Sequence, residues 1–417
     1  MTEASGKWTA TGVAAGLYYV KATPADDNKD TVYNPAFVSA DYKEGGNTVD
    51  FSTAYTDSTV VKSSSVPFDK VVNSTDKYVD VKVGDVIPFK VTTTIPSYGK
   101  QFTNPQFKVE DTLSAGLKLK GNVTVKYGTK STTETNDDVT ITTSDSGYTV
   151  EFSATYLTGL NGATPAVEIT YSAEVTTEAT NNVTYMDNKA KLTFSNTPTT
   201  TKDKEDITRH YTFSIDANMN GQDHGGEKSR ELIKIGVDEN GDTITKFTSW
   251  VEGKQWTEET PLAGATFKLV GTGDLSGVEK TAESTAEGYI SFNGLDAGTY
   301  TLTETAAPAG YVKDSKEHTV VITPKYKTGT DELESYTVTV DGSTSTYTIT
   351  NRSDEAATIE TTVDKTSTTF PFVNVKGTAL PSTGGMGTKI LYTIGGLMVV
   401  AGGVFLAAKK RMSTIEE

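Results

Sequence analysis

Cysteine is absent from this 417-residue chain, and histidine occurs only three times. No disulfide can therefore cross-link the chain, and the spacing of His210, His224 and His318 suggests no zinc site. An exported protein without disulfides needs another source of resistance to mechanical force and proteolysis. We predict that the chain binds no metal and no cofactor.

Basic residues are also in short supply. Lys and Arg number 38 against 54 Asp and Glu, which gives a formal net charge of −16 and a pI near 4.8. Nucleic-acid binding needs a basic surface, so this class is excluded, whereas a soluble and mutually repelling surface protein fits. The chain also lacks a phosphate-binding Gly-Lys-Ser/Thr loop and the nucleophile turn of hydrolases. We predict that it is not an enzyme.

The N-terminus lacks the features of a secretory signal. Met1-Thr2-Glu3 opens the chain with neither a basic nor an apolar stretch. Because an exported protein needs such a signal, we expect the first domain to be incomplete.

Residues 216–227 satisfy the spacing of an EF-hand calcium loop, from Asp216 to Glu227. The flanks differ from that motif, since residues 211–215 form a strand-like run and Asp223 occupies a position that is usually apolar. A polar turn is therefore favoured over a calcium site.

The C-terminus combines a short motif, an uncharged apolar run over residues 390–408 and a basic triplet at 409–411. The run is long enough to cross a bilayer core of about 30 Å as a transmembrane helix. The basic triplet favours the cytoplasmic side, which places the rest of the chain outside. The motif consists of Leu380, Pro381, Ser382, Thr383 and Gly384.

This order of parts resembles the cell-wall sorting signal that sortases of Gram-positive bacteria recognise. The resemblance implies that a sortase cysteine attacks the carbonyl of Thr383, releases Gly384 onward, and passes Thr383 to an amine. A simple membrane anchor is the alternative, and the three parts in sequence favour the sorting signal.

Up to about residue 352, short stretches rich in Thr, Val and Tyr alternate with polar residues. Such alternation predicts half-buried antiparallel strands, and no long amphipathic helix interrupts it. We predict an all-β chain of tandem immunoglobulin-like β-sandwiches with a C-terminal transmembrane helix. The predicted parts are a partial β domain (1–62), a linker (63–67), two sandwiches (66–198 and 207–353), a Thr-rich stalk (354–379) with a strand near 372–375, and the sorting region (380–417).

Each predicted sandwich places three polar side chains on an inner face: a lysine early, an acid in the middle and an asparagine late. An unpaired buried charge costs several kcal/mol, so this placement needs an explanation. One is a buried salt bridge with a hydrogen-bonded asparagine. The other is an intramolecular isopeptide bond, in which a neutral lysine attacks the asparagine amide, the acid shuttles protons, and ammonia leaves. The residues are Lys70, Asp111 and Asn188, and Lys234, Glu304 and Asn351.

Residues 300–311 read YTLTETAAPAGY, and residues 261–267 read PLAGATF. The first stretch matches at every specified position the E-box of Gram-positive pilins, and the second resembles the first strand of CnaB-type domains. Residues 68–70 (FDK), 84–85 (GD) and 111–117 (DTLSAGL) are similar to the fimbrial isopeptide-forming D2 domain of the CnaA type. This resemblance implies Lys234–Asn351 and Lys70–Asn188 bonds, with Glu304 and Asp111 as proton shuttles; Lys62 and Lys268 are rival lysines.

The chain thus resembles a sortase-assembled backbone pilin, covalently attached to the cell wall at the cell surface. Such pilins join Thr383 of one subunit to a lysine between the first two domains, and here Lys62 occupies that position, although the usual Tyr-Pro-Lys form is absent. The implied partners are sortase, identical subunits, other pilins and peptidoglycan, with host or matrix ligands also possible. The alternative is a monomeric adhesin or base pilin with the same anchor, in which Lys62 is idle.

Overall fold

The fold was obtained as a computed structural model. The part of the chain that it describes comprises residues 1–4, 7–22, 30–40, 42–45, 48–54, 58–181, 186–215, 232–237, 260–286, 288–329, 332–350, 360–363, 370–377 and 398–399.

The N-terminal unit consists of four two-stranded antiparallel sheets: β1 with β2, β3 with β5, β4 with β8, and β6 with β7. Their bounds are β1 Thr2–Ala4, β2 Lys7–Thr9, β3 Gly16–Val20, β4 Thr31–Asn34, β5 Ala36–Ala40, β6 Tyr42–Gly45, β7 Thr48–Ala54 and β8 Lys62–Ser65.

The predicted linker at residues 63–67 is largely a strand, because β8 pairs with β4 from Thr31↔Ser65 to Asn34↔Lys62. Val32 and Val66 are fully buried and belong to the core of the second unit. Their burial explains the difference from the prediction, because Val66 after the Ser-rich stretch and Val32 on the paired strand both anchor this segment to the core. The N-terminal unit is thus docked on the second unit.

The second unit is a sandwich of two sheets, ordered β10-β19-β18-β12-β16-β15 and β14-β13-β17-β11-β9. The apolar side chains of both inner faces form one core between the sheets. The bounds are β9 Phe68–Val72, β10 Tyr78–Asp80, β11 Val86–Thr94, β12 Phe107–Leu113, β13 Leu117–Tyr127, β14 Lys130–Thr132, β15 Val139–Ser144, β16 Gly147–Phe152, helix α1 Ala154–Gly159, β17 Ala166–Val175, a 3-10 helix Thr177–Asn181, β18 Met186–Thr197 and β19 Thr200–Tyr211.

The predicted end of this unit at residue 198 falls in the turn of a hairpin. Strand β19 pairs with β18 from Thr197↔Thr200 to Met186↔His210, so the sandwich extends to Tyr211. The polar tract read as a boundary is the exposed part of β19. Asn188 consequently lies on the penultimate strand of the unit.

The third unit has a seven-stranded sheet, ordered β24-β23-β26-β27-β28-β29-β30, which packs against a three-stranded sheet, β22-β21-β31, and the pair β20-β25. The bounds are β20 Phe213–Ile215, β21 Leu232–Val237, β22 Thr260–Pro261, β23 Thr266–Gly271, a 3-10 helix Gly273–Leu275, β24 Glu279–Glu283, β25 Phe292–Leu295, β26 Gly298–Ala306, β27 Glu317–Tyr326, β28 Leu333–Val340, β29 Ser343–Thr350, β30 Glu360–Val363 and β31 Phe370–Val375.

The segment predicted as a stalk contributes the last strand of this unit. Strand β31 pairs in parallel with β21, from Leu232↔Phe370 to Val237↔Val375. The predicted boundary at residue 353 therefore falls inside the sandwich, which extends to at least residue 375. The prediction of tandem all-β sandwiches is confirmed by this architecture.

No helix in the part of the chain that the structure describes is both long and apolar enough to cross a bilayer. Of the predicted transmembrane helix at residues 390–408, only Met398 and Val399 lie within that part, and both are helical and exposed. The calcium-like pattern at 216–227 lies outside the described residues.

Candidate cross-linking sites

Lys70 lies at the centre of β9 and is fully buried. Its Nζ atom donates to Oδ2 of Asp111 at 2.5 Å and to Oδ1 of Asn188. The rings of Phe89 and Tyr171 each lie 5.6 Å from the same nitrogen. The predicted trio of the second unit is therefore brought together in a site without access to solvent.

Asp111 and Asn188 face Lys70 from the opposite sheet. They lie on the adjacent strands β12 and β18, where Leu113 is paired with Asn188 and Asp111 with Ala190, so the two side chains are diagonal neighbours on one face. The register of β12 and β18 thus places Asp111 beside Asn188. Packing of the two sheets against each other then brings Lys70 into contact with both.

Burial moves the two ionisable groups toward their neutral forms. Burial lowers the pKa of Lys70 to about 8, although the nearby Asp111 carboxylate acts in the opposite direction. Burial also raises the pKa of Asp111, against the attraction of Lys70. A neutral amine beside a protonated carboxyl is therefore accessible, which is the state that nucleophilic attack needs.

A second ion-pair network fixes the backbone of Lys70. Its amide N–H donates to Oδ2 of Asp206 at 2.7 Å. Lys77 Nζ donates to Lys70 O at 2.5 Å and to Asp206 Oδ2 at 2.6 Å. Strand β19, which the sequence analysis left outside the unit, therefore helps to hold the lysine.

In the third unit Lys234 on β21 is fully buried, with its Nζ 3.2 Å from Oε1 of Glu304 and 5.6 Å from the ring centre of Phe267. Burial lowers the pKa of Lys234, against the opposing attraction of Glu304. Glu304 lies on β26 of the seven-stranded sheet and is buried, as the alternation around it predicts. The predicted lysine and acid therefore meet across the sandwich.

The amide at this site belongs to Asn374, a residue that the sequence analysis missed. Its Nδ2 donates to Oε2 of Glu304 at 2.7 Å, and the side chain is fully buried. Asn374 is paired with Gly236 and Phe372 with Lys234, so Asn374 and Lys234 are diagonal neighbours on one face of parallel strands. Glu304 is thus approached by an amine at one oxygen and by an amide at the other.

The predicted partner Asn351 lies outside the described residues. The strand before it, β29, is separated from β26 of Glu304 by β27 and β28. Three strand spacings correspond to about 14 Å across a sheet, so strand β29 itself is not in direct contact with β26. A signal for Asn374 was present in the sequence, since Phe372 and Asn374 alternate with Val373 and Val375 just before the sorting motif.

The E-box connects Glu304 to strand β31. Its first half is part of β26, where Tyr300 is buried and its hydroxyl donates to Asp296 O at 2.7 Å. Its last residues pair with the chain at the end of β31, where Tyr311 is bridged to Lys376 and the Gly377 amide donates to Gly310 O at 2.8 Å. The amide of Val312, directly after the motif, donates to Val375 O at 2.9 Å. One motif therefore supplies the acid and holds the strand of the amide.

The two rival lysines lie at the surface. Lys268 forms an exposed ion pair with Glu279 at 2.8 Å. Lys62 is exposed at the first position of β8, opposite Asn34 and close to the junction of the first and second units. The sorting residues 380–384 lie outside the described residues.

Comparison with known proteins gives two family matches. Residues 253–337 match the SpaA prealbumin-like fold domain, and residues 373–412 match the LPXTG cell wall anchor motif. The trypsin-resistant surface T6 protein of Streptococcus pyogenes serotype M6 is 26% identical over 463 aligned positions, which cover 97% of this chain and 81% of that protein. The solved structure of the T6 backbone pilin from the same serotype superposes with a TM-score of 0.58 at 20% identity, over 88% of this chain and 82% of that chain. These matches support the prediction that the chain is a sortase-assembled major pilin with an LPXTG anchor.

The pilin is a structural subunit of a Gram-positive pilus and a surface protein anchored to the cell wall, as the sequence analysis predicts. The anchor match and the pilin relatives favour this function over that of a monomeric adhesin. The described residues of the pilin contain no cluster of His, Asp or Glu suited to a metal ion.

Proposed function

We propose that copies of this pilin are joined head to tail by an amide bond between Thr383 C and Lys62 Nζ. The sortase thiolate displaces the Gly384 amine from the Thr383 carbonyl, and Lys62 of another copy then displaces the thiolate. One amide is broken and one is formed, so no oxidant or energy source is needed. The result is an open heterologous chain, since each copy uses a different surface for each neighbour.

The exposure of Lys62 supports this role. An acceptor amine must reach an acyl-enzyme, and Lys62 projects from an exposed strand end, whereas Lys70 and Lys234 are enclosed. Among the described residues, no carboxylate lies within ion-pair distance of Lys62. Its amine is therefore available to an incoming acyl group.

We also propose that two internal isopeptide bonds form, Lys70–Asn188 and Lys234–Asn374, with Asp111 and Glu304 as proton shuttles. The observation that carries this proposal is the buried contact of Lys70 Nζ with both Asp111 Oδ2 and Asn188 Oδ1. In each bond the lysine nitrogen replaces the amide nitrogen at Cγ of the asparagine, and ammonia leaves. Asn374 takes the place that the sequence analysis gave to Asn351.

The internal bonds are tested by the intact mass of the purified full-length pilin. Two bonds make the protein about 34 Da lighter than its sequence mass, or about 17 Da for each ammonia lost. Asn188→Ala and Asn374→Ala should each abolish one loss, and Asn351→Ala, the matched control, should retain both. If Asn351→Ala abolishes the loss and Asn374→Ala does not, the assignment in the third unit is wrong.

The polymer is tested by co-expressing the full-length precursor with the pilus sortase of its host. Wall extracts should give a ladder of high-mass bands on a denaturing gel, and mass spectrometry should find a branched Thr383–Lys62 peptide. Lys62→Ala should abolish the ladder, whereas Lys268→Ala, an exposed lysine elsewhere, should retain it. A ladder that persists in Lys62→Ala would assign the acceptor to another lysine.

A further inference from the structure

Tyr171 joins the acid and the amide of the second unit. Its hydroxyl donates to Asp111 Oδ2 at 2.9 Å and accepts from Asn188 Nδ2 at 2.8 Å. The residue lies on β17 in the sheet of Lys70, and its hydroxyl is buried within the site. The tyrosine therefore contacts the nitrogen atom that must leave.

The third unit has a different arrangement. There Asn374 Nδ2 donates directly to Oε2 of Glu304, so the acid itself contacts the leaving nitrogen. In the second unit Asp111 Oδ2 contacts Lys70 Nζ and Tyr171 OH, while Asn188 Nδ2 contacts the tyrosine. A proton therefore has a hydrogen-bonded route from Asp111 to the leaving nitrogen through Tyr171.

We propose that Tyr171 is a catalytic residue of Lys70–Asn188 bond formation and relays a proton from Asp111 to the departing amide nitrogen. This inference rests on the internal bond proposed above. Lys70 Nζ, as the neutral amine, adds to Cγ of Asn188. Tyr171 OH donates its proton to Nδ2 and takes the proton of Asp111, and Asp111 takes a proton from Lys70 Nζ. The Cγ–Nδ2 bond breaks, and ammonia leaves with the acid and the tyrosine restored.

The packing around Tyr171 suits a relay. Its ring stacks on Phe89 with centroids 5.1 Å apart and meets Tyr148 edge-on at 4.9 Å, which fixes the direction of the hydroxyl. Burial and the adjacent Asp111 raise the pKa of Tyr171 well above its ordinary value, so the hydroxyl keeps its proton at rest. It acts by exchanging one proton for another, without forming a phenolate intermediate.

The test compares rates of bond formation in full-length chains made by cell-free synthesis, held unfolded in urea and then diluted to fold. Cross-linked peptides of each unit are quantified by mass spectrometry over time. Tyr171→Phe is expected to slow the second-unit bond at least tenfold and to leave the third-unit bond unchanged. Tyr148→Phe, a neighbouring buried tyrosine, is the matched control and should retain the rate. An unchanged rate in Tyr171→Phe would overturn the relay.

A second variant separates proton transfer from packing. Site-specific fluorotyrosine at position 171 keeps the ring and the hydroxyl but makes the hydroxyl more acidic, so the rate constant is expected to change at least twofold and its pH dependence to shift. An identical rate and pH profile would contradict the proposal even if Tyr171→Phe folds poorly. Absence of the second-unit bond in the wild type would instead refute the proposed bond itself.

Discussion

Lys70 and Lys234 have similar surroundings in their two units. Each is fully buried over at least one aromatic ring and lies beside one carboxyl. Lys70 contacts the Asn188 amide, and Lys234 is a diagonal neighbour of Asn374. A buried ion pair seldom adds net stability, because its desolvation offsets its attraction. The proposed bond would remove this cost, since the amide carries no charge and the buried acid is left protonated and neutral.

The coupled pair Lys70 and Asp111 sets a pH dependence for bond formation. The reactive pair carries one proton, on the acid, and burial lowers the Lys70 pKa to about 8 while raising that of Asp111. We expect a bell-shaped rate profile that declines above about pH 8, as the pair loses its last proton, and at acid pH, as the pair gains a second. Folding of urea-held chains into buffers from pH 4 to 10, with peptide quantification, measures it. A rate that continues to rise above pH 9 would contradict this mechanism.

Gly147 allows a close approach to the backbone of Asp111. Its φ is +141°, and a Cβ atom there would lie 1.9 Å from Asp111 O. We expect Gly147→Ala to destabilise the second unit by about 1–3 kcal/mol, because a backbone shift is needed. Gly162→Ala is the control, since its φ is +95° but nothing lies within 4 Å of the added atom. Chemical unfolding should show a smaller loss in the free energy of unfolding for Gly162→Ala than for Gly147→Ala. Equal losses would mean that the positive φ alone, and not the close approach to Asp111, causes the destabilisation.

At the scale of elements, strand β31 supplies the amide of the third-unit site and holds it in position. It lies at the edge of the three-stranded sheet, it carries Asn374, and the end of the E-box pairs with it. Phe372 on the same face is buried between Phe267 and His318, with ring centroids at 5.1 and 4.7 Å. This aromatic contact anchors β31 to the core and thereby places the Asn374 amide beside Glu304.

Phe372→Ala should release β31 from the core. We expect a loss of about 3–5 kcal/mol in the stability of the third unit, as for other buried aromatic side chains. The measurement is chemical unfolding in the Lys234→Met background, where no bond can form. Val373→Ala, on the other face of the strand, should cost less, and an equal cost for both variants would refute the role assigned to Phe372.

The strands and the second-unit site could be predicted because alternation reports burial directly. Lys70, Asp111 and Asn188 all occupy inward positions between apolar neighbours. Strand β19 gave no such signal, because its first half lies in an exposed hairpin held by ion pairs such as Lys189–Glu205 at 2.8 Å. The strand near 372–375 was predicted, but its pairing with β21 was not, because parallel pairing between segments more than 130 residues apart leaves no local pattern.

At the scale of the molecule, the second and third units meet at a mixed polar and aromatic junction. Tyr326 of β27 donates a hydrogen bond to Asp80 of β10 and lies against Tyr78, with ring centroids 4.3 Å apart. The amide of Val83 donates to Gly294 O at 3.2 Å across the same junction. The units are therefore in direct contact.

This junction should weaken as pH rises. Burial raises the pKa of Asp80 from 3.8 to about 6, with Asp296 acting in the same direction and the Tyr326 hydrogen bond against it. Because the folded state holds the proton more tightly, stability is present below pH 3.8 and is lost between pH 3.8 and about 6. Hydrogen exchange of the Val83 amide, corrected for its intrinsic pH dependence, should show falling protection over that range. Asp80→Asn should remove the trend and Asp76→Asn, an exposed neighbour, should retain it.

The position of Asn188 on a penultimate strand has a mechanical consequence. In a head-to-tail fibre, tension enters the second unit at β9 and crosses the proposed bond from Lys70 to Asn188, so residues 71–187 are shielded from it. The β18–β19 hairpin lies beyond that bond, and Asn188 is paired with Thr208. Pulling there would open the hairpin pair by pair and release about 60 Å of chain between Asn188 and Thr208. In the third unit the proposed Lys234–Asn374 bond would join the neighbouring strands β21 and β31. The second unit would thus contain a reversible extensible segment beside a covalently closed loop, and the fibre would absorb a sudden pull without breaking a covalent bond.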